Sequence, residues 1–489
     1  MNELLGANTD VLDRNAESLS TDARRVQDIR TLAQRAVVEL QVSWNGSDLM
    51  RLSQQWGQQA SPLLAGASAS LDTCAAQLRA QSAAQRVASS SSSSPTTPIP
   101  MTPPVSPPTR GSPADNATWW RSLGAQQQQQ VISEHPEWIG NRDGVSPAAR
   151  DLANRALLTV DRERLVSERE RLEAVLADDW SFGALTNDDA ALDQVMDKLA
   201  SIDAIEATLA GPGERQLLLL DMGHARAQAA IANGNVETAD NVAVFVPGMT
   251  SNVTDTMNDY DKAMNQMQQR AQMESRRAHP TQPATTATVT WIGYQTPELG
   301  LDLLNPDKSV ASDTTAKNGA ASLVPFLQGI GASRDNDAHL TLLGHSYGST
   351  TAGLALRQET GVDDAVFFGS PGLDANHIQD LKLAPGHAYY IEARQDPVGD
   401  VGALGAFGVD PSHMGGIEHA STRASTVVDP VTGEIRHFTE VTGHSSYLVD
   451  NSTSQYNMSV VVAGVPDRRV YDSGEGIGDV LSWPIPGTY

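Results

Sequence analysis

Near residue 345 the chain reads Gly344-His345-Ser346-Tyr347-Gly348, residue types and a spacing suited to nucleophilic catalysis. A serine hydroxyl attacks an acyl carbon once a base takes its proton, so such a site needs a histidine and a group to orient it. Gly-x-Ser-x-Gly alone arises readily by chance. Its flanks make it specific. The apolar run Leu340 to Leu343 ends at Gly344, and the small residues Ser349 to Gly353 suit a helix lying close against a sheet. The serine therefore falls on a tight strand-to-helix turn, with room at both glycines for neighbouring backbone. Its Oγ stands at a helix N-terminus, where developing negative charge is favoured.

The partners of a serine on such a turn follow in the order Asp/Glu, then His, each on a loop after a later strand. The run HAYYIEARQD ends in Gln395-Asp396-Pro397-Val398, which makes Asp396 the expected orienting carboxylate. A turn role for Asp396, with Asp400 as the carboxylate, is the alternative. His444, in Val441-Thr442-Gly443-His444, follows the last strand-like run and is the expected base. His413 and His419 fall in a Gly-rich loop, His437 lies within a strand, and His345 is aimed elsewhere by the turn. An oxyanion hole needs two backbone N–H donors: Tyr347, next to the nucleophile, and Met249, in Val246-Pro247-Gly248-Met249 after an earlier strand. An ordinary strand-ending turn is the other reading of Pro-Gly-Met. This chemistry calls for no metal or cofactor.

The elements that must position these groups form an alternating pattern after Gly213. The apolar runs RQLLLLDM, RAQAAIAN, NVAVFVPG, TATVTWIGY, HLTLLGHS, DDAVFFGSPG, HAYYIEARQD and GEIRHFTEV are separated by helix-like segments at about 250–278, 312–330, 348–360 and 374–381. Near-continuous apolar strands alternating with helices indicate an α/β domain with a mainly parallel sheet covered on both faces. The first two runs, joined by a short link, are expected to be an antiparallel edge pair. Residues 250–285 and the Gly-rich stretch 399–416 are candidates for a cap over the substrate.

The front of the chain has another texture. Residues 1–88 show apolar positions at steps of three and four on both sides of Ser43-Trp44-Asn45-Gly46-Ser47, the pattern of a helical hairpin with Gly46 as stop and Ser47 as cap. Pro62 marks a kink or break in the second helix. Residues 89–114, rich in Ser and Pro, form an expected disordered linker. Residues 115–213 read as helical, including a long helix with Ser146 as cap and Pro147 at its first position, and a further one from about 190 to 209. The net charge of -25 leaves no basic patch for nucleic acid. The single cysteine, Cys74, excludes an internal disulfide and reads as a small buried hydrophobe. The first residues lack the basic and apolar regions of a signal peptide, and no run reaches the roughly 18 apolar residues of a membrane span. The expected location is cytoplasmic, or outside the cell by a leaderless route.

The segments WWRSL, IGNRDGVSPAARDLANRALL, TADNVAVFVPGMTSNV, TVTWIGYQTP, LTLLGHSYGSTTAG, VFFGSPG and GHSSYL, spread over about residues 117–463, resemble an α/β-hydrolase family common in actinobacteria and catalogued mainly as a domain of unknown function. The resemblance implies the α/β-hydrolase fold, a Ser346-Asp396-His444 triad, and hallmark motifs at Asn141-Arg142-Asp143-Gly144 and Ile292-Gly293-Tyr294. The front hairpin resembles the WXG family of type VII secretion, which implies export and a helical-hairpin protein partner. The usual Tyr-x-x-x-Asp/Glu signal of that family is missing between Leu71 and Ala88. The expected activity is an esterase- or lipase-like serine hydrolase acting on a small-molecule or lipid acyl substrate. The alternatives are a secreted effector carried by the hairpin, or an inactive scaffold.

Overall fold

The computed structural model describes residues 104–178, 187–297, 309–398 and 407–472 apart from 431, with scattered positions between 13 and 82. The chain divides into two compact units, 1–103 and 104–489. In the first, the described positions are helical and meet in antiparallel order. Arg79 donates to the Ala16 carbonyl and to Ser20 Oγ, Ser68 Oγ to the Ala23 carbonyl, and Trp56 Nε1 to Gln34 Oε1. Trp44-Asn45-Gly46, Cys74 and residues 89–103 lie outside the described residues.

The second unit opens with α1 (Pro113–Ser122), α2 (Ala125–Glu134), α3 (Pro147–Asp178) and α4 (Asn187–Leu209). The end of the expected linker is held against them: Trp119 Nε1 donates to the Val105 carbonyl and Arg142 Nη1 to that of Pro108. Helix α3 starts at Pro147 as the sequence implies. The Ser146 hydroxyl, however, donates to Glu237, and it is the Glu237 carboxylate that accepts from the Ala148 amide.

The sheet strands are β1 (Arg215–Asp221), β2 (Gln228–Asn233), β3 (Asn241–Val246), β4 (Thr286–Ile292), β5 (His339–His345), β6 (Asp364–Phe368), β7 (Ala388–Ile391) and β8 (Glu418–Ala420). Their order is β1-β2-β4-β3-β5-β6-β7-β8. The pairs β1/β2 and β2/β4 are antiparallel and the others parallel. Strands β2, β3 and β4 are buried along their whole length, which fits apolar runs covered on both faces. On one face α6 (Ser309–Ala332) and α7 (Tyr347–Ala355) pack Leu323, Phe326 and Ala352 against Val244, Trp291 and Leu342. On the other, α5 (Val253–Ala278) and α8 (Thr453–Val462) bring Met264, Met267, Met458 and Val461 onto Phe245, Leu343 and Phe368. Methionines 257, 264 and 267 with Ala271 share one helical face and are fully buried. Helix α5 is thus a sheet-covering helix, so the cap expected over 250–285 does not exist along 253–278.

Two further expectations change. The run 433–441 does not join the main sheet: β10 (Ile435–Phe438) pairs with β9 (Ser425–Val428) in a separate ribbon, anchored by Phe438 stacked on Tyr456 at 4.5 Å. The eighth sheet strand is instead β8, which carries His419. The segment expected as a helix at 374–381 holds only a short turn at Ile378–Asp380.

The free edge of β1 is sealed by side chains. Asn141 Nδ2 donates to the Leu220 carbonyl, and Asn141 Oδ1 accepts from the Leu220 amide. From α3, Arg150 reaches the Leu218 carbonyl, Asn154 that of Leu217 and Arg155 that of Arg215, while Asp151 accepts from the Leu217 amide. A strand edge left open offers its N–H and C=O groups to another chain. Here polar side chains satisfy them. The Asn141-Arg142-Asp143-Gly144 motif belongs to this seal, since Asp143 pairs with the buried Arg150 at 3.0 Å. Gly144, at φ +92°, has no room for a Cβ beside the Pro113 carbonyl. Among the described residues no helix is long and apolar enough to cross a membrane.

Candidate active site

Strand β5 delivers Ser346 to the turn before α7, and the turn is strained. Ser346 has φ 54° and ψ -131°, a region a non-glycine residue occupies only when its surroundings impose it. The Ser346 amide donates to the Phe368 carbonyl, and Ser349 Oγ donates back to the Ser346 carbonyl. Both glycines of the motif are required sterically. A Cβ on Gly344 would lie 2.8 Å from Ser349 Cα, and one on Gly348 would lie 2.2 Å from the Val246 carbonyl oxygen.

Two loops converge on the serine. His444 Nε2 lies 2.9 Å from Ser346 Oγ, and His444 Nδ1 is 3.0 Å from both carboxylate oxygens of Asp396. A carboxylate only accepts, so Nδ1 carries the proton and Nε2 is left to accept from the serine. Asp396 is buried and also accepts from the Val398 amide and from the Tyr447 hydroxyl. Burial pushes its carboxyl up. The bonds from His444, Tyr447 and Val398 outweigh that and hold it below the usual range. Asp400, the alternative carboxylate, lies outside the described residues. Gly369, at φ +55°, ends β6 so close that a Cβ would meet Tyr447, Asp396 and His444 within 3.1 Å.

The loop after β3 reaches the serine from the other side. A Cβ on Gly248 would sit 2.6 Å from Ser346 Cβ and 3.0 Å from its Oγ, so Met249 follows directly on a close approach of the loop backbone to Ser346. Tyr347 begins α7. The loop is held by residues following β4: Tyr294 Oη donates to the Pro247 carbonyl, Thr296 Oγ1 to that of Ser251, and the Thr250 amide to that of Pro297.

The rival histidines are placed elsewhere. His413 bonds Ser412 and Asp410, His437 bonds Thr426, and His419 lies on β8 beside Tyr390. His345 does not reach the serine, but it stacks on the His444 ring at 4.9 Å and donates from Nε2 to the His444 carbonyl. Burial, with His444 alongside, pushes its imidazole down to about 4. Tyr447, Tyr294 and His345 are contributors that sequence reasoning missed. The only signal was that each lies in or beside a motif already singled out. Among the described residues no cluster of three or more His, Cys, Asp or Glu is set to hold a metal ion.

Similarity to known proteins agrees with this architecture. A family model described as alpha/beta hydrolase matches residues 223–406. An uncharacterized protein of Mycobacterium tuberculosis is 34% identical over 243 residues, spanning 49% of this chain and 88% of its own length. The chain belongs to the α/β-hydrolase family. A second uncharacterized protein of Mycobacterium tuberculosis is 32% identical to this α/β-hydrolase over 312 residues, covering 61% of the chain and 46% of the relative. Among solved structures, an esterase of Pyrobaculum calidifontis aligns at 12% identity and a TM-score of 0.30, over 61% of this α/β-hydrolase and 96% of the esterase. That likeness is too loose to carry a substrate from one protein to the other.

Proposed function

We propose that the protein is a serine hydrolase that cleaves an ester, thioester or related acyl bond through an acyl-enzyme. The observation that carries the proposal is the continuous chain from Ser346 Oγ through His444 to Asp396, with contacts of 2.9 and 3.0 Å. Such contacts are short enough for proton transfer. His444 takes the serine proton as Oγ bonds to the acyl carbon, and the carbonyl electrons move onto oxygen. The Met249 and Tyr347 amides are the donors for that oxyanion. Collapse expels the alcohol or thiol, which leaves with the proton held by His444. Water then repeats the sequence on the acyl-enzyme, and Asp396 steadies the imidazolium in both halves. A small-molecule or lipid acyl compound is the substrate class that this chemistry takes.

A fluorophosphonate tests the proposal without a known substrate: Oγ attacks phosphorus, fluoride leaves with the bonding pair, and His444 accepts the proton. The full-length protein should label, and Ser346→Ala should not. Equal labelling of the variant would refute the assignment.

A second reading concerns residues 1–88, as a secretion-type helical hairpin that binds a partner of its own kind and takes the hydrolase out of the cell. The antiparallel contacts of Arg79, Ser68 and Trp56 with the first helical stretch favour it. Co-purification with a small Trp-x-Gly hairpin protein, and recovery from culture medium without lysis, are the expected results. Recovery in the cytosol alone would refute it.

A further inference from the structure

Resting on the triad reading above, we propose that Tyr447 is a positioning residue of the active site, acting on the serine only through Asp396 and His444. Its hydroxyl has a partner on each side. It accepts from the Ala393 amide at 2.9 Å and lies 2.5 Å from Asp396 Oδ2. An amide can only donate and a carboxylate can only accept, so the phenolic proton has one direction available, toward Asp396. The Val398 amide meets the other carboxylate oxygen at 2.9 Å. Two donors from different elements thus fix the carboxylate plane, and His444 Nδ1 bonds to a group that cannot turn.

The ring is anchored as firmly as the hydroxyl. Tyr447 is 1% exposed, packs on Phe368 and His345, and fills the space that a Cβ on Gly369 would need. Burial, with Asp396 alongside, keeps the phenol far above its ordinary ionisation range, so it remains a donor. Phenylalanine would fill the same volume. The hydroxyl is what connects this ring to the reaction.

The sign of the effect follows from charge. The hydroxyl draws electron density from Asp396. Without it the carboxylate keeps more charge and binds protons more tightly, and it stabilises the His444 imidazolium more strongly. Both changes move the acid limb of the pH–rate profile upward. The other titratable or charged groups around the ring are His345, Tyr390 and Glu392. All remain in the variant, so they do not account for the difference.

The test is the second-order rate constant for fluorophosphonate labelling of the full-length protein across pH, for wild type, Ser346→Ala and Tyr447→Phe. For Tyr447→Phe we expect a fall of about 10- to 100-fold and an acid limb moved up by about half a pH unit. Incorporating 3-fluorotyrosine at position 447 keeps the ring and makes a stronger donor, so the limb should move down. That arm decides the matter if the phenylalanine variant does not fold. An unmoved limb in both 447 variants overturns the inference, even where the rate has dropped. Persistent labelling of Ser346→Ala overturns the triad itself, a result distinct from any at position 447.

Discussion

Replacing Gly248 with alanine tests whether backbone contact between the β3 loop and Ser346 sets the rate. The added methyl carbon would lie 2.6 Å from Ser346 Cβ, 3.0 Å from Oγ and 3.1 Å from the His345 carbonyl oxygen. Non-bonded carbons rest at about 3.5–4.0 Å, so loop and serine must separate by about 1 Å. Neither can yield alone. Tyr294 holds the Pro247 carbonyl, Gly348 is wedged against residues 246 and 247, and the Ser346 amide is tied to Phe368. A misplacement of about 1 Å at reacting groups slows chemistry about 100-fold, or about 2.7 kcal/mol of barrier. The accompanying overpacking should lower stability by about 1–3 kcal/mol. Fluorophosphonate labelling rates report the first effect and thermal unfolding the second. Gly331→Ala is the control, because that site in the last turn of α6 has nothing within 4 Å of the new carbon. If Gly248→Ala stays folded and labels at the wild-type rate, the contact does not govern catalysis.

Two other expectations concern the supporting shell. Tyr294→Phe removes the hydroxyl that holds Pro247, so turnover of p-nitrophenyl butyrate should fall about tenfold in kcat at constant KM; a change confined to KM would contradict this. His345 titrates near 4 in the folded chain against 6.5 ordinarily. As pH falls through that interval the unfolded chain takes up a proton that the folded chain refuses. Stability should therefore drop by up to about 1.4 kcal/mol per pH unit, and urea unfolding of His345→Gln between pH 4 and 7 should show a shallower decline. Parallel slopes would rule it out.

The loops carrying Ser346 and Asp396 could be read because each follows an apolar run that ends in turn residues, and such runs mark strand ends in a parallel sheet; His444 was picked out behind a run that proves to belong to the separate β9/β10 ribbon. Strands β1 to β7 were visible for the same reason. β8 was not, since Glu-His-Ala has no apolar run. The run at 433–441 looked equivalent to the others, but its exposure pattern, with Phe438 the buried position, suits a ribbon with one buried face. Helix α5 was open to misreading as a cap because its mean polarity hides the methionine stripe; tracing positions 257, 264, 267 and 271 around a helix would have shown it. Tyr447 and Tyr294 could not be read in this way. Their roles rest on hydrogen bonds to groups 51 and 47 residues away, contacts that only the folded chain creates.

The side-chain seal along β1 bears on where the transplantable unit begins. The matched family region starts at residue 223, yet five residues between 141 and 155 answer the backbone of the outermost strand. A fragment starting with the sheet would carry that backbone bare and ready to recruit a second fragment. A graft intended to keep Ser346 in place should therefore bring everything from Pro104 onward, since the residues that close the sheet precede the strands they protect.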